Sequence, residues 1–163
     1  GAGIYFMALW KRVLTSVTVD VALLHNHHTL CDVRSYELLP LLASRKVAAI
    51  NAAPLASGLL SGAAPAPWHP ANAAARVLFA RAAELARERG SSLPRLALQF
   101  AASEARLPIT LFSCADPTTL RTNLGWLGEE PDWTLVAQVQ QLLEPVMNVQ
   151  WGYGGTDPDE AFE

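Results

Sequence analysis

The sequence is poor in the features that mark several function classes. Its 163 residues include two cysteines, Cys31 and Cys114, which lie far apart and outside any CxxC pairing. That spacing excludes a disulfide framework, so free thiols in a reducing compartment such as the cytoplasm are expected. No apolar run reaches the roughly 18 residues of a membrane span. The opening stretch GAGIYFMALWKRVLTSVTVD meets Lys11 and Arg12 after a short apolar segment, without the basic start or small-residue cleavage pattern of a signal peptide. It begins with Gly1, which fits a processed or truncated start. Basic excess is also missing: the formal charge is -3, and the arginines of RVLFARAAELARERG alternate with Glu84 and Glu88 along a helical pattern. Such a run reads as a solvated helix face, so neither nucleic acid nor a membrane is expected as a partner.

What is present is apolar residues, 51% of the chain, enough for a folded core. Runs of strand length occur at 2–7, 19–24, 47–50 and 109–112, and each precedes a stretch with helical spacing. Asp32 is a candidate cap for a helix reaching Arg45, bent by Pro40. A long loop carrying Pro54, Gly58, Gly62, Pro65, Pro67 and Pro70 leads to a helix near 73–89 that Gly90 can end. A helix over 93–104 places Leu93, Leu96, Ala97, Phe100 and Ala101 on one stripe. Asp116-Pro117 starts another, carrying Leu120, Leu124 and Leu127, and a last helix follows Asp132 and stops before Pro145. Alternating strands and helices imply an α/β fold with parallel strands, doubly wound or (β/α)8. Four units cannot close an eight-stranded barrel, and two open edges invite pairing with another chain.

The residues offer three candidate chemistries. His25, His27, His28 and Cys31 suit zinc by type, but on an extended strand His25 and His27 project to one face and His28 to the other, so no metal site is expected. Cys31 or Ser57 beside a histidine resembles a nucleophile pair, yet no GxSxG elbow accompanies Ser57, and a buried Cys31 would be inert. The loop from Ala52 has small side chains and no acid, so its backbone N–H groups can approach an anion; the same composition also serves a tight strand-to-helix turn.

The succession VDVALLHNHHTLCD, VAAINAAPLASGLLSGAAPAPWHPA, LPRLALQFA and TLRTN resembles the C-terminal half of the aldo-keto reductases, in the branch of L-galactose and L-fucose dehydrogenases. The resemblance runs from Gly1 to about Trp151. It implies strands five to eight of a (β/α)8 TIM barrel, with residues 1–151 as a half-barrel domain and 152–163 as an acidic, loosely ordered tail. The family transfers a hydride between NAD or NADP and a carbonyl or alcohol, and a tyrosine supported by lysine, aspartate and histidine handles the proton.

That tetrad belongs to the first half of the family's barrel, so the resemblance implies no catalytic residue here, and Tyr5, Tyr36 and Tyr153 are expected to pack or face solvent. It implies part of a cofactor cradle instead, from Pro54, Leu55, Gly58, Cys114 and Asn123. Tyr5 and Phe6 replace a small or polar pair, and would reshape the pocket or fill it. His27 and Asp32 match the family, whereas His25, His28, Ser113 and Thr122 depart from it. Thr119, where many NADP users carry arginine, favours NAD. The expected function is therefore half of a sugar dehydrogenase, inactive alone and partnered by another polypeptide: the missing half, a second copy or a host complex. A non-catalytic interaction module of the same ancestry is the alternative.

Overall fold

A computed structural model describes residues 1–151; the expected acidic tail, with Tyr153, lies outside the described residues. The elements run β1 (Ala2–Ile4), α1 (Met7–Ser16), β2 (Val21–His25), α2 (Ser35–Ser44), β3 (Ala48–Ala52), α3 (Ala73–Glu88), α4 (Leu93–Ser103), β4 (Ile109–Leu111), α5 (Pro117–Trp126) and α6 (Trp133–Leu142). Single 3-10 turns occupy Ala56–Gly58 and Glu144–Val146. All strand pairs are parallel and the sheet order is β1-β2-β3-β4. Each crossover thus steps to the next neighbour in one direction, without the reversal that gives a doubly wound sheet its switch point.

Register and burial together separate the two faces of the sheet. Ala2, Ile4, Ala22, Leu24 and Ala49 share one face and pack with Met7, Trp10 and Leu14 of α1 and Leu38, Leu39 and Leu42 of α2. Thr110, in register with Asn51 on that face, donates through Oγ1 to the Ala101 carbonyl of α4 at 3.1 Å. The opposite face carries Gly3, Val21, Leu23, His25, Ala48, Ile50, Ile109 and Leu111, all half-buried or exposed. Only Ala52 on that face is buried. A second core gathers α3, α4 and α6 with Leu30, Leu59 and Leu60, each fully buried leucine contributing about 2 kcal/mol.

The caps follow the local chemistry. Asn72, Ser92, Asp116 and Asp132 each accept the N–H three residues on, at the starts of α3, α4, α5 and α6. Gly90 takes φ 72° after α3, where its N–H donates to Arg87 O and that of Ser91 to Ala86 O.

Two expectations need correction. The first apolar run is a strand only to Ile4, because Met7 already belongs to α1. Asp32 does not cap α2, which begins after Arg34 without a side-chain cap. Its carboxylate is instead occupied by Arg34, whose Nη2 donates at 2.5 Å and Nε at 3.1 and 3.2 Å. Pro40 lies inside α2, which runs on through it to Ser44.

The segment 59–72 has no regular structure, yet one side chain holds it. Arg76 donates through Nη1 to Pro65 O, through Nη2 to Ala66 O and His69 O, and through Nε to Ala71 O, at 2.7–3.2 Å. Arg76→Met should therefore leave the Pro65, His69 and Ala71 carbonyls without this donor, while Ala66 O keeps the His69 N–H, and cost about 1–3 kcal/mol. Limited proteolysis should show faster cleavage within 63–71, and an unchanged cleavage rate would contradict the clamp.

Candidate functional site

The ends of β2 and β3 gather several buried polar residues, among them Asn26, His27, His28, Thr29, Asp32 and Asn51. β3 leads into a turn in which Ala53, Ala56 and Ser57 have φ of 60°, 49° and 52°, followed by Gly58 at 101°. Non-glycine residues in this left-handed region cost of the order of 1 kcal/mol each, and such strain collects at binding and catalytic sites. The tight path is held by Ala56 N–H to Ala53 O, Gly58 N–H to Leu55 O and Leu60 N–H to Leu55 O, at 2.9–3.1 Å. It opens a cleft of about 360 Å³ whose wall includes Pro54, Leu55, Ser57, Gly58, Trp68 and Ser113. No charged side chain lines it, and a Cβ at Gly58 would meet nothing within 4 Å.

Of the residues expected to form a cradle, Pro54, Leu55 and Gly58 lie together on this wall. Cys114 lies beyond it, its thiol directed to the Asp116 carbonyl at 3.2 Å. Asn123 is the buried residue of α5 and is not part of the wall. Sequence reasoning missed Trp68 and Phe112 as lining groups, and missed Asn26, whose Nδ2 donates to Ser57 Oγ at 3.1 Å. The available signal was an asparagine directly after a strand, since Asn tolerates φ > 0 and reaches its neighbours' polar groups.

A second cluster stands beside the cleft. The Tyr5 ring lies 6.0 Å from both His25 and His27 and 5.5 Å from Phe6, and its hydroxyl donates to Trp151 O at 2.5 Å. Tyr5 and Phe6 thus pack as rings at the end of β1. His27 is fully buried, with Nδ1 3.7 Å from Asp32 Oδ2. Burial pushes the Asp32 carboxyl up, but the nearby His27 ring and the hydrogen bonds and charge of the Arg34 guanidinium outweigh it, holding Asp32 below the usual range. Burial, then the neighbouring His27, lowers His25.

His28 turns away from both, stacking on Phe100 at 5.1 Å and meeting Tyr36 edge-on. Tyr36 in turn lies under the Arg106 guanidinium, 5.3 Å from its centroid. Among the described residues no three His, Cys, Asp or Glu side chains converge as metal ligands. Cys31 is no nucleophile: burial pushes its thiol up to about 12.

The segment after α6 is sewn to this region. Asn148 N–H donates to Cys31 O at 2.8 Å, Asn148 Oδ1 accepts from Val33 N at 2.9 Å, and Arg34 Nη1 reaches Gln150 Oε1 at 3.2 Å.

His28 gives the region a pH dependence. Burial, opposed by Glu104 and aided by Arg106, lowers it to about 4 from 6.5, so between those values the unfolded chain binds more protons than the folded one. Stability should therefore fall as pH drops from 6.5 to 4, by an amount on the order of 3 kcal/mol, and level off below. Urea midpoints at pH 7 and pH 4.5 should differ more for the wild type than for His28→Phe, and equal differences would refute the assignment.

Comparison with known proteins adds the following. The profile described as the aldo/keto reductase family matches residues 7–144. L-galactose dehydrogenase of Arabidopsis thaliana is 31% identical over 141 residues, which cover 84% of this chain and 44% of that protein. Among solved structures, the aldo-keto reductase AKR11C1 from Bacillus halodurans (holo form) superposes with TM-score 0.61 at 18% identity, over 93% of this chain and 51% of its own. The glycerol dehydrogenase AKR11B4 from Gluconobacter oxydans gives TM-score 0.62 at 13% identity, over 96% and 52%. These structures speak for the fold alone, and the chain spans about half the length of the relatives it matches.

Proposed function

Since the chain belongs to the aldo/keto reductase family, we propose that it is the C-terminal half of an NAD(P)-dependent sugar dehydrogenase barrel, supplying part of the cofactor cradle. The observation that carries this reading is the bare face of the sheet. A parallel sheet is normally covered on both sides, and here the helices α1, α2 and α4 pack on one side while Leu23, Ile50, Ile109 and Leu111 line the other, half-buried or exposed. In an eight-stranded barrel that second face becomes the interior, filled by side chains from all strands. The exposed Leu120 and Leu124 of α5, with Leu127 just past its end, then meet the helix of the next unit.

The cleft at Pro54–Gly58 suits one portion of the dinucleotide: its turn is small-sided and its wall carries no charged side chain to repel a phosphate. When bound, the nicotinamide supplies a hydride acceptor. Pro54, Leu55 and Gly58 would hold the cofactor, with Cys114 and Asn123 at its far end. The substrate class that follows from the relative is an aldose, oxidised at its anomeric carbon to a lactone. No residue here matches the proton-transferring tetrad of the family resemblance, so turnover requires the other four strands of the barrel as well. No helix among the described residues is long and apolar enough to cross a membrane, and a reducing compartment such as the cytoplasm suits the two free cysteines.

One observation favours a second reading, a non-catalytic module of the same ancestry. Tyr5 and Phe6 stand in contact at the end of β1, and Tyr5 also meets His25, His27 and Trp151, which leaves less room there for a nicotinamide.

The chain alone should show no sugar-dependent NADH or NADPH formation above a denatured control; turnover would overturn the half-enzyme reading. Adding an N-terminal half-barrel should produce nicotinamide binding by fluorescence titration, whereas a stable complex without binding would establish the module. In sedimentation velocity at micromolar concentration the lone chain should self-associate, and a monodisperse monomer would count against the open barrel.

A further inference from the structure

β1 passes to α1 through two residues, Tyr5 and Phe6, since the strand ends at Ile4 and the helix begins at Met7. The Tyr5 ring is half-buried. It leans across the end of β2, edge-on to His25 and stacked with His27, 6.0 Å from each. His25 is the last residue of β2 and stands on the bare face of the sheet, in register with Ala52. In a closed barrel that face is the interior, and the C-terminal ends of the strands form the mouth where reacting groups sit. Tyr5 thus covers the β1–β2 side of that mouth.

What holds the ring there comes from the far end of the described chain. The Tyr5 hydroxyl donates to the Trp151 carbonyl at 2.5 Å, across 146 positions. Segment 148–151 is in turn fastened to the β2–α2 loop: Asn148 N–H donates to Cys31 O at 2.8 Å, Asn148 Oδ1 accepts from Val33 N at 2.9 Å, and Gln150 Oε1 accepts from Arg34 Nη1 at 3.2 Å. The Trp151 ring also stands against His69 of the clamped loop, 5.7 Å between centroids. One short segment therefore spans the rim from the β2–α2 loop to the loop before α3, and Tyr5 is tied to it.

We infer that Tyr5 is a latched cover: the C-terminal segment holds its ring over the barrel mouth, and release of the Trp151 bond admits the nicotinamide ring of the cofactor. The inference rests on the cofactor reading above and adds to it a means of regulation. A hydroxyl-to-carbonyl bond contributes little net stability, because the open form exchanges it for bonds to water. The closed and open positions therefore differ by an amount that a ligand preferring one of them can reverse. A ligand that needs the open form binds with an affinity reduced by the fraction of chains that are open.

The test uses the full chain and measures the open fraction in two ways. Diethyl pyrocarbonate acylates accessible neutral imidazoles. Its modification of His25, mapped by mass spectrometry, reports the position of the Tyr5 ring, with His27, His28 and His69, each at most 3% exposed, as buried references. Binding of NADH compared with ADP-ribose, which lacks the nicotinamide, reports access to the mouth. Tyr5→Phe keeps the aromatic ring and removes only the donor. Asn148→Gly suits the φ of 59° and removes the bond to Val33 N, leaving Tyr5 unaltered. Both variants should speed His25 modification about fivefold, as loss of one net hydrogen bond predicts. Both should strengthen NADH binding by the same factor, because the two measurements scale with the open fraction. ADP-ribose affinity should not change.

With ADP-ribose bound by the wild type, an unchanged His25 rate in both variants would overturn the latch and leave the cofactor reading standing. So would a faster rate with no gain of NADH over ADP-ribose, since the ring would then move without gating the ligand. Absence of binding to NADH and ADP-ribose in every variant would overturn both. Should Asn148→Gly fail to fold, Tyr5→Phe decides alone: an unchanged His25 rate refutes the inference.

Discussion

A parallel sheet has two faces and two edges, and the packing of α1, α2 and α4 satisfies only one of those faces. Everything else in the molecule is arranged around that asymmetry. Consecutive strands lie side by side in chain order, so each right-handed crossover returns its helix to the same side. The strand ends therefore converge at one rim. There the β2 and β3 turns, the segment after α6 and the long loop before α3 meet, and there the backbone adopts its least common conformations. The rim gathers these turns because the strands are parallel, so that all four end at the same edge of the sheet.

Much of this was legible in the chain. The caps Asn72, Ser92, Asp116 and Asp132 obey short-range rules, and the apolar stripe of α4 fits its buried face. Asp32 misled because an acid ahead of a helix looks like a cap, whereas Arg34, two residues on, offers a fork of donors that a backbone N–H cannot match. The β1 boundary slipped for a similar reason. Tyr5 and Phe6 are as apolar as strand residues, and only the contacts of Tyr5 with His25, His27 and Trp151 show that they have left the strand.

The site was legible in part. The loop after Ala52 could be picked because a Pro/Gly turn after a strand is a local pattern, and the resemblance then named Pro54, Leu55 and Gly58 within it. Left-handed Ala53, Ala56 and Ser57 could not, since nothing in an alanine or serine announces positive φ; tertiary contacts impose it. Asn26 and Ser57 are 31 positions apart, a pairing created by strand adjacency. Asn123 and Cys114, by contrast, followed from the resemblance alone, and neither joins the cleft wall.

The Arg76 clamp and the buried histidines differ in their response to acid. A guanidinium stays charged throughout the range in which proteins fold, so the four carbonyls of segment 65–71 keep their donor at any such pH. His28, between Tyr36 of α2 and Phe100 of α4, must stay neutral to remain buried, and His69, inside the clamped segment, accepts the Ala71 N–H on a ring nitrogen that a proton would occupy. Acid therefore loosens the packing between α2 and α4 and one bond of the proline-rich loop, while the guanidinium keeps that loop tied to α3.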